Sequence, residues 1–128
     1  PSKLKATVEA VKSQFTGRKL VAVMELHTYS SLSKDFLSHY RCSLQSADIP
    51  VVFFSKHALE LKKLPEISAA DVKKGFSQEN LNVFTNATKL EQFLINQNYE
   101  NANLLMMSSG NFGGLDMEKL RSSIFNSK

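Results

Sequence analysis

Lys19-Leu20-Val21-Ala22-Val23-Met24-Glu25-Leu26 is a nearly continuous apolar run of strand length. A strand with one face in water alternates apolar and polar residues, whereas a run without alternation is the pattern of a strand covered on both faces. Three later stretches share this character: Ile49-Pro50-Val51-Val52-Phe53-Phe54-Ser55, Leu81-Asn82-Val83-Phe84-Thr85 and Asn103-Leu104-Leu105-Met106-Met107-Ser108. Pro50 belongs at the beginning of its strand, where the missing N–H does least harm.

The segments between these runs read as helices. From Pro1 to Phe15, the residues Leu4, Val8, Val11 and Phe15 follow the i, i+4, i+7 rhythm of one buried stripe. Proline is well placed at a helix start and Gly17 is suited to end it. A second helix is expected from Ser31 to Ser43, with Leu32, Phe36, Leu37 and Tyr40 at helical spacing. Lys56 to Pro65 mixes a helical turn with loop. Ser68-Ala69-Ala70-Asp71 reads as a capping box opening a helix to about Phe76. Asn86 is positioned to cap a helix containing Leu90, Phe93 and Leu94, and the last helix runs from Leu115 to Phe125. Strands alternating with helices imply a parallel sheet, because parallel neighbours need crossovers. The expected fold is an α/β, Rossmann-like three-layer domain, with a mostly parallel sheet covered by helices on both faces. It occupies residues 1–128 as a single domain.

Composition narrows the function classes. With 42% hydrophobic and 22% charged residues, the chain is not a disordered one. Cys42 is the only cysteine, which excludes an intrachain disulfide and a cysteine-based zinc cluster and suits a reducing cytoplasm, the expected location. No apolar run approaches the ~20 residues that span a bilayer, and the N-terminus lacks the apolar core of a signal peptide. No membrane partner is expected. The net charge of +4 comes from 16 basic and 12 acidic residues. It favours anionic ligands by steering, but Lys62-Lys63 and Lys73-Lys74 lie among Glu60, Glu66 and Asp71, and no basic patch interleaves with aromatics. Nucleic acid is not an expected partner.

Ligands of such sheets bind beyond the carboxyl ends of the strands, and two loops there carry candidate chemistry. One is Ser108-Ser109-Gly110-Asn111-Phe112-Gly113-Gly114, which joins the fourth strand to the last helix. Its glycines permit positive φ and close backbone approach, and its amides could attract an anion. It is neither a Walker loop nor a dinucleotide fingerprint. A tight strand-to-helix turn and a small-anion site are equally compatible with it. The other is Glu25-Leu26-His27-Thr28-Tyr29-Ser30-Ser31. Glu25 and His27 are two apart and point the same way on an extended segment, so the carboxylate can orient the imidazole. A polar strand end followed by a helix cap is the plainer alternative. His39 is expected on a helix face and His57 on a loop, and the three histidines make no recognisable metal site. The first three strand ends carry Glu25, Ser55 and Thr85, so a phosphoacceptor aspartate of the receiver type is missing. No G-x-S-x-G elbow occurs either. Catalytic residues are not expected in this chain.

The strand and loop Leu104 to Gly114 resemble the terminal-domain loop of Mur ligases, the ATP-dependent amide-forming enzymes of peptidoglycan synthesis, and most nearly that of their murein-recycling branch. Against the pattern S-N-G-G-F-G-G-I, Ser108, Gly110, Phe112, Gly113 and Gly114 are kept, while Ser109, Asn111 and Leu115 depart from it. The start Pro1-Ser2-Lys3-Leu4-Lys5-Ala6-Thr7 resembles the proline and helix that follow a D-D-x-A-H-H-P turn in that family. His27 stands where recycling ligases often carry an arginine.

The resemblance implies a C-terminal, acceptor-substrate-binding domain excised from a longer ligase. It implies partners in the same protein: an upstream central ATPase domain and a UDP-muramyl-binding domain. ATP and magnesium belong to the full-length enzyme, with no cofactor and no metal in this domain. The implied reaction converts a carboxylate of a UDP-N-acetylmuramic acid substrate to an acyl phosphate, which an amino acid or peptide amine attacks. Glu25, His27, Thr28, Tyr29, Ser30, Ser108, Ser109, Gly110, Asn111, Phe112, Gly113 and Gly114 would bind that acceptor, with Pro1 near the nucleotide. The isolated domain would be inactive. A stand-alone α/β module that binds a small anion or a protein partner is the alternative.

Overall fold

A computed structural model describes residues 2–125. Pro1, expected near the nucleotide, lies outside the described residues. The apolar runs form four strands: β1 Lys19–Leu26, β2 Ile49–Phe54, β3 Asn82–Phe84 and β4 Ala102–Met107. They make one sheet in the order β3-β2-β1-β4. Every pairing is parallel, with Val23 beside Val51 on one side and Met106 on the other. Pro50 is the second residue of β2, opposite Ala22, as its missing donor requires.

The helices are α1 Ser2–Gln14, α2 Lys56–Leu61, α3 Ala69–Phe76, α4 Ala87–Ile95 and α5 Met117–Phe125. Alternate strand residues serve opposite faces, because side chains on a strand alternate. Ala22, Leu26, Val52 and Phe54 join Leu4 and Val8 of α1, Leu59 of α2 and Val72 and Phe76 of α3. Val21, Val23, Val51 and Phe53 pack with Leu90 and Leu94 of α4 and Leu120 and Ile124 of α5. Complete burial of each of the Val, Leu, Ile and Phe side chains is worth about 1.5–3 kcal/mol. The three-layer α/β fold is therefore as expected.

The expected caps form. Ser68 Oγ accepts the Asp71 N–H and Asp71 returns a carboxylate to the Ser68 N–H, a complete capping box. Asn86 Oδ1 accepts the Lys89 N–H. One element differs in kind. The helix expected from Ser31 to Ser43 is a shorter 3-10 segment, Lys34–Tyr40. Its buried residues Leu37 and Tyr40 are three apart, the spacing that a 3-10 helix aligns. The segment also presses against α3, where a Cβ on Gly75 would lie 2.6 Å from Leu37 Cβ. The last helix begins at Met117 rather than Leu115, with the Asp116 carboxylate accepting the Lys119 N–H. His57, expected on a loop, lies in the first turn of α2.

Candidate functional site at the ends of β1 and β4

Strand order decides where a ligand fits. From β1 the chain moves outward through β2 to β3, then returns past both to place β4 on the far side of β1. The connections leaving β1 and β4 consequently diverge, and the crevice between their carboxyl ends is the topological switch point. The two loops singled out in the sequence both start there.

Glu25 joins them. Its side chain is only 2% exposed. One carboxylate oxygen, Oε1, accepts the Ser108 hydroxyl and the Phe112 N–H, the latter at 2.9 Å. Ser108 Oγ in turn accepts the Gly110 N–H at 2.7 Å. The other oxygen, Oε2, faces His27 Nδ1 at 3.7 Å, so the pair two residues apart does share a side as strand geometry demands. Gly110 lies against both groups. A Cβ there would stand 2.8 Å from the His27 ring and 2.9 Å from Glu25 Oε1, so only glycine lets the loop come this close.

The rest of the loop is anchored behind this contact. Phe112 is buried and tilted against Phe53 of β2. Gly113 and Gly114 have φ of +66° and +88°, the left-handed region open to glycine. A Cβ on Gly113 would also meet Phe53 Cζ at 2.9 Å. Asn111 accepts the Gly114 N–H through its side chain, and Ser109 is exposed. The loop is a tight turn, and the carboxylate that its Phe112 amide holds is the protein's own.

Beyond β1, Thr28 and Ser31 close a local turn: the Ser31 N–H donates to Thr28 Oγ1 at 3.1 Å, and Ser31 Oγ donates to the Thr28 carbonyl at 3.0 Å. Tyr29 is 64% exposed and Ser30 is exposed beside it. Glu25, His27, Thr28, Ser108 and Ser109 line one cavity of about 580 Å³ with Lys3, Thr7, Met24, Tyr40 and Met107. Tyr29, Ser30 and residues 110–114 are not part of that lining. The contributions of Lys3, Thr7 and Tyr40 were not singled out from the sequence, although Leu4 marked the buried side of α1. Burial pushes the Tyr40 phenol up, an effect partly offset by its hydrogen bond with Ser31.

A second cavity, about 500 Å³, lies beyond β2 and β3 between Lys56, Glu66, Asp71 and Thr85. Its Asp71 is already spent on the α3 capping box. The β1–β4 cavity is the stronger candidate, because it sits at the switch point and holds a buried carboxylate with an oxygen to spare. His39 stacks on Phe36 away from it. Among the described residues, no three His, Cys, Asp or Glu side chains are grouped closely enough to hold a metal ion.

The sheet is four-stranded and parallel throughout, with a glycine loop at its switch point. Two solved structures carry this fold. One is a domain of a protein from Haemophilus ducreyi assigned as a UDP-N-acetylmuramate:L-alanyl-γ-D-glutamyl-meso-diaminopimelate ligase. It has a TM-score of 0.62 and 22% identity, over 96% of this chain and 83% of that one. The other is a murein peptide ligase from Psychrobacter arcticus, with a TM-score of 0.72 and 16% identity over the whole of this chain. The 128 residues span 26% of that ligase's length. No protein-family model matches the sequence. Among the described residues no helix is long and apolar enough to cross a membrane.

Proposed function

We propose that this chain is the acceptor-binding C-terminal domain of an ATP-dependent carboxylate–amine ligase acting on UDP-N-acetylmuramic acid in peptidoglycan synthesis or recycling. The observation that carries the reading is the Ser108–Gly114 loop. Its residues resemble the Mur pattern, and Glu25 fastens it beside the switch-point cavity, which Ser108 and Ser109 line, in a fold found in two murein ligase structures. In this reading upstream ATPase and UDP-muramyl domains of the same cytoplasmic protein supply the nucleotide, the metal and the acyl phosphate. The present residues hold the amino acid or peptide that attacks. Closure of the domain over the reacting groups would keep water from the activated carboxyl.

The test is the protein encoded by the complete reading frame. Purified, it should release ADP only when UDP-N-acetylmuramic acid and an amino acid or peptide acceptor are both supplied. A frame that encodes no phosphate-binding loop upstream of Pro1, and a product that turns over no ATP under those conditions, would favour a stand-alone binding module instead.

A further inference from the structure

We propose that Glu25 makes the β1–β4 cavity an ammonium-binding subsite, with Oε2 as the acceptor. The inference rests on the acceptor-binding reading and names which group of the acceptor docks there.

The two oxygens of the Glu25 carboxylate have different surroundings. Oε1 is committed to the Ser108 hydroxyl and the Phe112 N–H. Oε2 has neither donor; the His27 ring stands nearby with Nδ1 at 3.7 Å, beyond hydrogen-bond reach. The side chain is 2% exposed, yet Glu25 lines the cavity. Oε2 is therefore the oxygen open to the cavity, and a donor bearing positive charge makes the strongest hydrogen bond to it. A ligand carboxylate at the same place would meet a like charge. The loop therefore does not present an empty anion cradle beside Glu25, because Glu25 itself occupies that role.

The remaining charge on the lining agrees. Lys3 of α1 reaches the same cavity. One acidic and one basic residue on the walls match a ligand that carries a free amino group and a free carboxylate, as an amino acid or short peptide does. The His27 ring is the internal competitor for Oε2, and Gly110 lies against it.

Two probes that differ in one charge decide the matter. The 128-residue chain, labelled with 15N, is titrated at neutral pH with L-alanyl-L-alanine and with its N-acetyl derivative; both carry a carboxylate and only the first an ammonium. The free dipeptide should shift the Gly110 and Phe112 amides and the His27 ring, with the acetylated one weaker by about tenfold or more, the worth of one charge-assisted hydrogen bond. Glu25→Gln keeps an oxygen for Ser108 and Phe112 but removes the charge. It should lower the dipeptide to the affinity of its acetylated form. Equal affinity of the two probes for the unaltered chain overturns the ammonium assignment and leaves acceptor binding standing. Failure of both to move these signals at high millimolar concentration overturns both readings. The comparison of probes needs no variant, so a poorly folded Glu25→Gln does not spare the proposal.

Discussion

Ser108, at the end of the last strand, donates its hydroxyl to Glu25, a buried carboxylate on the first strand 83 residues earlier. The contact ties the glycine loop to β1 and fixes the Glu25 carboxyl on the wall of the cavity. The domain thus supplies a shaped, charged wall, while the activating chemistry is assigned by the proposal to another part of the protein.

That division implies that the chain alone neither hydrolyses ATP nor joins a peptide to UDP-N-acetylmuramic acid. Magnesium-dependent phosphate release from the purified 128-residue chain, co-eluting with it through successive columns and lost on denaturing it, would contradict this.

If the chain belongs to such a ligase, His27→Ala in the full-length protein should raise KM for the amine substrate severalfold and leave KM for ATP nearly unchanged. Tyr29→Ala should do the same if its exposed ring meets the acceptor on closure, and should cost less than about 0.5 kcal/mol of stability, as is usual for surface positions. Steady-state kinetics with each substrate varied in turn separates uniform binding from chemistry. Equal shifts in both KM values would return this segment to a structural strand end.

Gly113 and Gly110 should respond differently to substitution. Gly113→Val forces a β-branched residue to φ of +66° and drives its Cβ toward Phe53. A loss of about 1–3 kcal/mol is expected from the backbone alone, seen as a fall in Tm. Gly110→Ala instead pushes on the His27 ring, so its clearest sign is a changed His27 NMR signal and weaker acceptor binding. If Gly113→Val keeps the parent Tm, the anchoring of the loop on Phe53 is wrong.

Acid sensitivity has a local source at the other end of the sheet. Burial raises the pKa of Asp48, but the hydrogen bond and charge of Lys12 and the Leu20 N–H outweigh it, leaving the carboxyl below its ordinary 3.8. Lys12 Nζ and the Leu20 N lie 2.6 and 2.7 Å from Asp48 Oδ2. A carboxylate depressed in the folded state stabilises above its unfolded pKa, and that contribution disappears as pH falls through the folded value. Asp48→Asn should accordingly lower Tm at neutral pH, with the gap to the parent chain closing below about pH 4, near the free carboxyl pKa. The side chain is 43% exposed, so the gap should be small. A gap that widens in acid would contradict the assignment.

The strands were legible because burial on both faces removes polar residues from them. The capping residues were legible because a cap is a local arrangement: Ser68 with Asp71, Asn86 with Lys89. The 3-10 segment was not, since Leu32, Phe36, Leu37 and Tyr40 satisfy an α-helical rhythm, and what tightens the chain there is its contact with Gly75 on another element. The site divides in the same way. Glu25 and His27 were paired by strand alternation alone. The reach of Glu25 to Ser108 and Phe112 depends on β4 lying beside β1, which neither loop's residues reveal. For that reason the sequence left a tight turn and an outside anion equally open, when one of the loop amides already holds Glu25.

The placement of β4 next to β1 also sets the order in which this molecule can come into being. Three strands, β1 to β3, are joined in a row by neighbouring segments, and their contacts can form as soon as each is synthesised. The fourth must travel back across the row to pair Met106 with Val23. Such distant pairings pay their chain-closure cost before any contact rewards it, and they form slowly. A nascent chain that has not yet delivered Met107 and Ser108 has a hydrophobic sheet but no wall on one side of its cavity, and its Glu25 lacks both of the donors that come from the last loop. The cavity thus exists only in the finished fold, and a product truncated before Ala102 would lack it however well the rest of it folded.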